Sequence, residues 1–243
     1  MAEIEYKRIL VKLSGEALIG EQASGIDPQM IAKTAAELTA LAHAGVELGV
    51  VVGGGNLFRG AGLAAAGLDR VTGDHMGMLA TVMNALALQD GLLRQGQAAT
   101  VMSGLAMPQV CESYTQRDAR RRIAAGEILI FAAGTGSPYF TTDTGASLRA
   151  IEIRADLLIK ATKVDGIYDK DPVKHRDAAR YSHLDYDLAI DQRLAVMDVA
   201  AMILCNDNSL DLVVCDINQP GALLDLARGK TVGTRVTPKE AQK

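Results

Sequence analysis

The sequence predicts an α/β fold, a three-layer αβα sandwich around a mainly parallel sheet. Two observations carry that expectation: six short apolar runs rich in β-branched residues recur along the chain, and stretches with helical signals separate them. Runs that stay apolar at successive positions suit strands buried on both faces, and helical crossovers between them make neighbouring strands parallel.

The first run is "RILVKL" at 8–13. A helix follows, with Asp27 as its cap, Pro28 in its first turn and Gly45 at its C-terminal stop. "VELGVVV" at 46–52 is the second strand. From Asp69 to Arg94 the chain is apolar almost all round, which predicts a long helix covered on most sides by the sheet or by another subunit. The remaining strands are expected at "QAATVM" (97–102), "EILIFAA" (127–133), "DLLIKA" (156–161) and "LDLVVCDI" (210–217). Helices are expected near 116–125, 144–154, 193–204 and 219–228. No internal repeat, low-complexity tract or linker interrupts this rhythm, so residues 1–243 are expected to form a single domain.

Composition narrows the function classes. With 25 basic and 29 acidic residues, a net charge of −4 leaves no broad cationic field for nucleic acid. Aromatic residues are 4% of the chain and tryptophan is absent, so base-stacking platforms are poorly supplied. The one dense basic run, "RDARRR" at 117–122, reads as a solvated helix face. Cys111, Cys205 and Cys215 form no CxxC pair and no zinc spacing, and read as reduced thiols of a cytoplasmic protein. The N-terminal apolar run is short and broken by Lys12, so neither a leader nor a membrane span is expected. No protein-held metal site is expected either.

Polar, glycine-marked loops follow four of the predicted strands: "KLSGEAL", "GGGNLFRG", "GTGSPYFTTD" and "KVDGIYDKDP". In an open parallel sheet these loops lie along one edge, where ligands bind. The three glycines Gly53 to Gly55 suit close backbone approach to phosphate, yet no P-loop lysine follows them. Lys12, at an apolar strand end, either snorkels to solvent or supplies that missing charge, with Ser14 and Gly15 as donors beside it. Arg59 can fork two phosphate oxygens. Among Thr141, Thr142 and Asp143, at least one caps the next helix; Asp143 repels phosphate unless it orients a lysine or a metal. Asp165-Gly166 is a hairpin-turn dipeptide and Asp171-Pro172 a second turn signal. Tyr168 offers an apolar face to a base and Asp171 an acceptor. Asp74 either accepts from ribose hydroxyls or is a first-turn carboxylate favoured by the helix dipole.

In their order, "KLSGEAL", "GGGNLFRG", "GDHMGMLATVMNALA", "GTGSPYFTTD" and "KATKVDGIYDKDP" resemble the amino acid kinase superfamily, and within it the bacterial branch that phosphorylates UMP. The resemblance runs from Lys7 to the C-terminal region. It implies the amino acid kinase fold, with an N-terminal half for the acceptor UMP and a C-terminal half for ATP. It implies Mg²⁺-dependent transfer from ATP to UMP, with Lys12, Arg59 and Asp143 acting in the transfer. Lys12, Ser14 and Gly15 would meet ATP phosphates, Leu13 and Arg59 would also bind ATP, Gly55 would bind ATP from between the two nucleotides, and Thr162, Tyr168 and Asp171 would line its base and ribose site. Gly54 and Arg59 would meet UMP phosphate, Asp74 its ribose, and Thr135, Gly136, Ser137, Pro138, Tyr139, Phe140, Thr141 and Thr142 would surround uracil and its phosphate.

Members often use two lysines held by an aspartate; Lys12 and Asp143 match two of those roles, and Lys160 and Lys163 both remain for the third. A homohexamer activated by GTP and inhibited by UTP is also implied. Gln89 and Leu93 stand where some GTP-responsive members carry basic or imidazole groups. Two other readings stay open: a kinase of an amino acid carboxylate or carbamate, which gives no role to Asp74 and Thr135 to Thr142, and a non-catalytic nucleotide-binding regulator, which needs neither Lys12 nor Asp143.

Overall fold

Nine strands form one sheet in the computed structural model, which describes residues 3–58, 67–172 and 174–239. The strands are β1 (Arg8–Leu13), β2 (Glu47–Val52), β3 (Ala99–Ser103), β4 (Glu112–Ser113), β5 (Ile128–Ala132), β6 (Leu157–Thr162), β7 (His183–Asp185), β8 (Asp211–Asp216) and β9 (Thr234–Thr237). Their order across the sheet is β4-β3-β5-β2-β1-β6-β8-β9-β7. Every pair is parallel except β8 with β9, which is antiparallel. The six apolar runs of the sequence are β1, β2, β3, β5, β6 and β8, and β1 and β2 sit at the centre.

Strand pleating sorts the side chains of β1 between two cores. Ile9, Val11 and Leu13 enter one with Leu48, Val50 and Val52, while Leu10 enters the other with Leu158, Leu129 and Phe131. The first core is roofed by α1 (Pro28–His43), α2 (Arg70–Arg94) and α7 (Ala222–Ala227). The second is covered by α3 (Gln116–Ala124), α4 (Thr142–Ile153), α5 (Tyr186–Asp191) and α6 (Val199–Asp207). By the same alternation Lys12 and Lys160 fall on the side of Leu10 and Leu158, the side that α4 covers.

The helix ends follow capping chemistry. Asp27 accepts from the N–H of Gln29 at 2.8 Å, with Pro28 next to it, and Gly45 ends the helical region at φ +95°. Asp69 caps α2 through Thr72, and Thr141 caps α4 through Asp143 and Thr144.

Four expectations need correction. The helix expected at 193–204 begins only at Val199: α5 has already ended at Asp191, Arg193 turns left-handed at φ +50°, and Asp198 caps the new start. The 165–166 dipeptide is not the hairpin tip: the arm pairs Tyr168 with Arg180, and its turn closes through Asp171, whose carbonyl accepts from Lys174 and His175. The arginines of "RDARRR" are not all solvated, since Arg120 donates to the carbonyl of Glu152 at 2.7 Å and Arg122 pairs with Glu127. Helix α2 is less covered than its composition implies. It is long and apolar enough to cross a bilayer, and its inner face packs into the core, but Met76, Leu79, Met83 and Leu93 lie exposed on the other side.

Candidate active site

Three charged side chains meet at the C-terminal edge of the central strands. Lys12 and Lys160 are register partners on β1 and β6, so their ammoniums leave the sheet side by side. Asp143, in the first turn of α4, receives both: Lys12 Nζ lies 2.8 Å from Oδ1, and Lys160 Nζ lies 2.9 Å from Oδ2. The Lys12 contact is a charge contact off the hydrogen-bond direction, whereas Lys160 donates a hydrogen bond. Only 12%, 15% and 16% of the Lys12, Asp143 and Lys160 side chains is exposed, so the charges are mostly desolvated and mutually dependent.

Burial alone would push the Asp143 carboxyl up, but the two ammoniums outweigh it and hold the group below the ordinary aspartate range. Burial lowers Lys160, with Asp143 opposing and Lys12 adding to the shift. Lys163 stands apart, exposed, with Glu16 at 4.0 Å. Of the two lysines that the sequence left open, Lys160 is the one that joins Lys12 and Asp143.

Asp198 braces this cluster from behind. Its carboxylate accepts from the hydroxyls of Thr141 and Thr144 and from the N–H of Ala201, while Lys160 also donates to the carbonyl of Val196. Sequence reasoning missed Asp198. Its signal was an aspartate directly before the apolar run "VAAMIL", an N-cap pattern.

Three glycines in a row have three environments. A Cβ on Gly54 would come within 2.8 Å of the Gly77 carbonyl and 2.9 Å of Ala80, so α2 can approach only a bare backbone there. Gly53 faces the Gly15 amide, and its own N–H donates to the Leu13 carbonyl at 3.0 Å, joining the first two loops. Gly55 faces open space on its Cβ side. Gly53 is thus the junction, Gly54 the packing contact and Gly55 the opening.

A cleft of about 370 Å³ opens beside Gly54 and Gly55. Asp74, Thr135, Phe140, Thr141 and Thr142 line it, together with the first turns of α2. Gly136, Ser137, Pro138 and Tyr139 are not in its lining. The loop from β5 to α4 that carries these residues is held at both ends. Near its start, the Ala133 N–H donates to Thr81 Oγ1 at 2.8 Å, and Arg149 donates to the Gly134 carbonyl at 3.1 Å. Arg149 is buried, paired with Glu152 at 2.6 Å and stacked over Tyr114 at 3.7 Å. Near its end, the Tyr139 N–H donates to Asp74 at 2.7 Å. Burial works against ionising Asp74, but the Tyr139 N–H and Arg70 beside it keep its carboxyl below the ordinary range. Ala133 and Tyr139 are both left-handed, at φ 58° and 72°, a strained conformation that such clamps can hold.

The residues expected at the ATP base are less gathered. Thr162 exchanges hydrogen bonds with Val164, Tyr168 donates to Asp165 at 2.7 Å, and Asp171 faces Lys174 at 3.3 Å. Leu13 is buried in the core at the end of β1, while Ser14 caps the short helix Gly15–Leu18. Arg59 lies outside the described residues.

A fold of this topology, with paired lysines on one aspartate beside glycine loops, is that of a phosphoryl-transfer enzyme. The amino acid kinase family model matches residues 7–216, and the chain belongs to that family. Within it, the chain is 57% identical over 236 residues to a uridylate kinase of Xanthomonas oryzae pv. oryzae, covering 97% of this chain and 98% of that one. It is also 57% identical over 234 residues to a uridylate kinase of Methylococcus capsulatus, covering 96% and 98%. The crystal structure of UMP kinase from Bacillus anthracis superposes with a TM-score of 0.93 at 34% identity, covering 96% of this chain and 97% of that one.

Proposed function

We propose that this chain transfers the γ-phosphoryl group of ATP to UMP, giving ADP and UDP, a step of pyrimidine nucleotide synthesis. The observation that carries it is the Lys12, Asp143 and Lys160 cluster at the strand edge, adjoining the glycine loops and the cleft. The choice of UMP as acceptor draws on the near full-length likeness to uridylate kinases.

A phosphate oxygen of UMP attacks the γ-phosphorus in line, the bond to the bridging oxygen breaks, and ADP leaves with that electron pair. Phosphoryl transfer of this kind needs positioning and charge spreading more than covalent chemistry. Lys12 and Lys160 neutralise charge on the transferring group, and Asp143 keeps both ammoniums aimed. Leu13, Ser14, Gly15 and Gly55 approach the ATP phosphates; Gly54 and Arg59 meet the acceptor phosphate. Asp74 takes the UMP ribose and Thr135 to Thr142 the uracil side, while Thr162, Tyr168 and Asp171 take the ATP base and ribose. The chain then works as one domain, its N-terminal half for UMP and its C-terminal half for ATP.

Magnesium would enter on the ATP phosphates, where it screens their charge. The carboxylates at hand are engaged, Asp143 by two ammoniums and Asp198 by two hydroxyls, which suits a cation that keeps its waters and phosphate oxygens rather than a protein cage.

A homohexamer is part of the same reading, and the exposed stripe Met76, Leu79, Met83 and Leu93 on α2 is where a second copy would pack. UTP inhibition and GTP activation complete the family pattern. Gln89 donates to the Ala99 carbonyl and Leu93 is apolar, so a GTP phosphate would draw its cations from elsewhere. The free thiols Cys111, Cys205 and Cys215 support a cytoplasmic place of action.

A coupled assay of ADP formation with ATP and Mg²⁺ against UMP, CMP, glutamate, aspartate and carbamate tests the proposal. Turnover is expected with UMP above all others; turnover only with a carboxylate or carbamate would overturn it.

A further inference from the structure

Beneath the site lies a buried polar pair that the chemistry above does not use. Asn56 and Asn84 are 3% and 0% exposed. Each carboxamide donates to the other, Asn56 Nδ2 to Asn84 Oδ1 at 2.9 Å and Asn84 Nδ2 to Asn56 Oδ1 at 2.7 Å. The second N–H of each reaches a backbone carbonyl: Asn56 to Gly25 at 2.9 Å, and Asn84 to Gly53 at 2.7 Å. All four amide donors are used, and neither ring half can turn without leaving a buried group unpaired.

Three segments are fastened at this point: the approach to α1, the glycine loop and the middle of α2. The Gly25 N–H returns a bond to the Asn56 carbonyl at 3.1 Å. The loop after β1 rests on the same spot, since a Cβ on Gly15 would lie 2.5 Å from Asn56 Oδ1 and 2.6 Å from the Gly53 carbonyl. An apolar pair of similar size would fill the space, but nothing in it would fix the direction of Gly53.

We infer that Asn56 and Asn84 are positioning residues for phosphoryl transfer, their closed amide pair setting Gly53 and hence the Gly54–Gly55 backbone that lines the cleft. The inference rests on reading that cleft as the transfer site. A misplacement of the loop by about 1 Å acts on turnover more than on binding, because alignment matters most in the transition state.

The test uses full-length Asn84→Leu, the smaller Asn84→Ser, and the double variant Asn56→Leu/Asn84→Leu. In each folded variant kcat for UMP is expected to fall about 10- to 100-fold, with calorimetric affinities for ATP and UMP within about threefold of the parent. The double variant regains part of the thermal midpoint lost by Asn84→Leu, because neither carboxamide is stranded, yet its kcat stays low. If Asn84→Leu fails to fold, Asn84→Ser and the double variant decide. A kcat within about twofold of the parent, or one that recovers in step with the midpoint, overturns the inference and leaves a structural role alone.

Hydrogen exchange reads the same tether without substrate. The Gly53 amide, bonded to the Leu13 carbonyl at 3.0 Å, is expected to exchange at least about tenfold faster in Asn84→Ser. Unchanged exchange also overturns the inference. If the parent uses another acceptor instead of UMP, the proposed reaction fails while the variants are still compared on that acceptor.

Discussion

The two sides of the site are built from different kinds of contact. On the cleft side, bonds join residues far apart in sequence: Tyr139 to Asp74 across 65 positions, Ala133 to Thr81 across 52, and Asn84 to Gly53 across 31. Around Thr162 and Tyr168 the side-chain hydroxyls find partners two and three positions away. The difference teaches where order is stored. The cleft is held by the packing of α2 against the sheet, whereas on the other side the hydroxyls of Thr162 and Tyr168 are spent on local turns, and the distant anchors are made by the backbone, the Ile167 N–H donating to Thr234 at 2.9 Å. The lysine pair sits between them, on central strands.

The largest expected effect lies at that shared centre. Lys12→Ala should lower kcat about 10²- to 10³-fold while leaving nucleotide affinity mostly intact, since its charge counts most as the phosphoryl group transfers. Steady-state turnover near the parent value would remove Lys12 from the mechanism. Lys160→Met should approach the same loss, and Lys163→Met should cost at least about tenfold less, because Lys163 stands away from Asp143. Equal losses would dissolve the distinction between the centre and the loop that follows β6.

Smaller effects separate the two sides. Asp74→Asn should weaken UMP binding about tenfold with ATP binding retained, as expected for loss of a charged hydrogen-bond acceptor. Tyr168→Leu should do the reverse, weakening ATP by about 0.5–1.5 kcal/mol through its aromatic face. Calorimetry in which either variant weakens both nucleotides alike would show the sides to be one unit.

The smallest effect is in acid. Asp143 is held below its unfolded value of about 3.9, so its stabilisation is complete above that value and is lost as pH falls toward the folded one. Urea unfolding between about pH 5 and 3 should therefore show a steeper loss of stability in the parent than in Asp143→Asn, and parallel slopes would contradict the linkage.

Much of the fold was legible because burial on both faces writes itself into consecutive apolar residues. "RILVKL" is β1 at its predicted bounds, and "VELGVVV" differs from β2 by one residue. Strands β4, β7 and β9 have two to four residues and no apolar run, so their pairing is decided by neighbours distant in sequence. Lys12 and Asp143 stood out as charges at strand and helix ends. Choosing Lys160 over Lys163 required the register of β1 against β6, which no local pattern encodes. Asn84 left a trace, an asparagine inside an apolar helix, and Arg149 another, an arginine inside the largely apolar "GASLRAIEI". Neither trace names its partner, because Gly53 and Gly134 are met only in the folded chain.

Phosphorus NMR of one sample containing the enzyme, ATP, Mg²⁺ and UMP tests the central claim most directly. Transfer to UMP predicts UDP and ADP appearing together in equal amounts as ATP and UMP decline. ADP formed with inorganic phosphate and no UDP, or spectra that do not change with time, would contradict it.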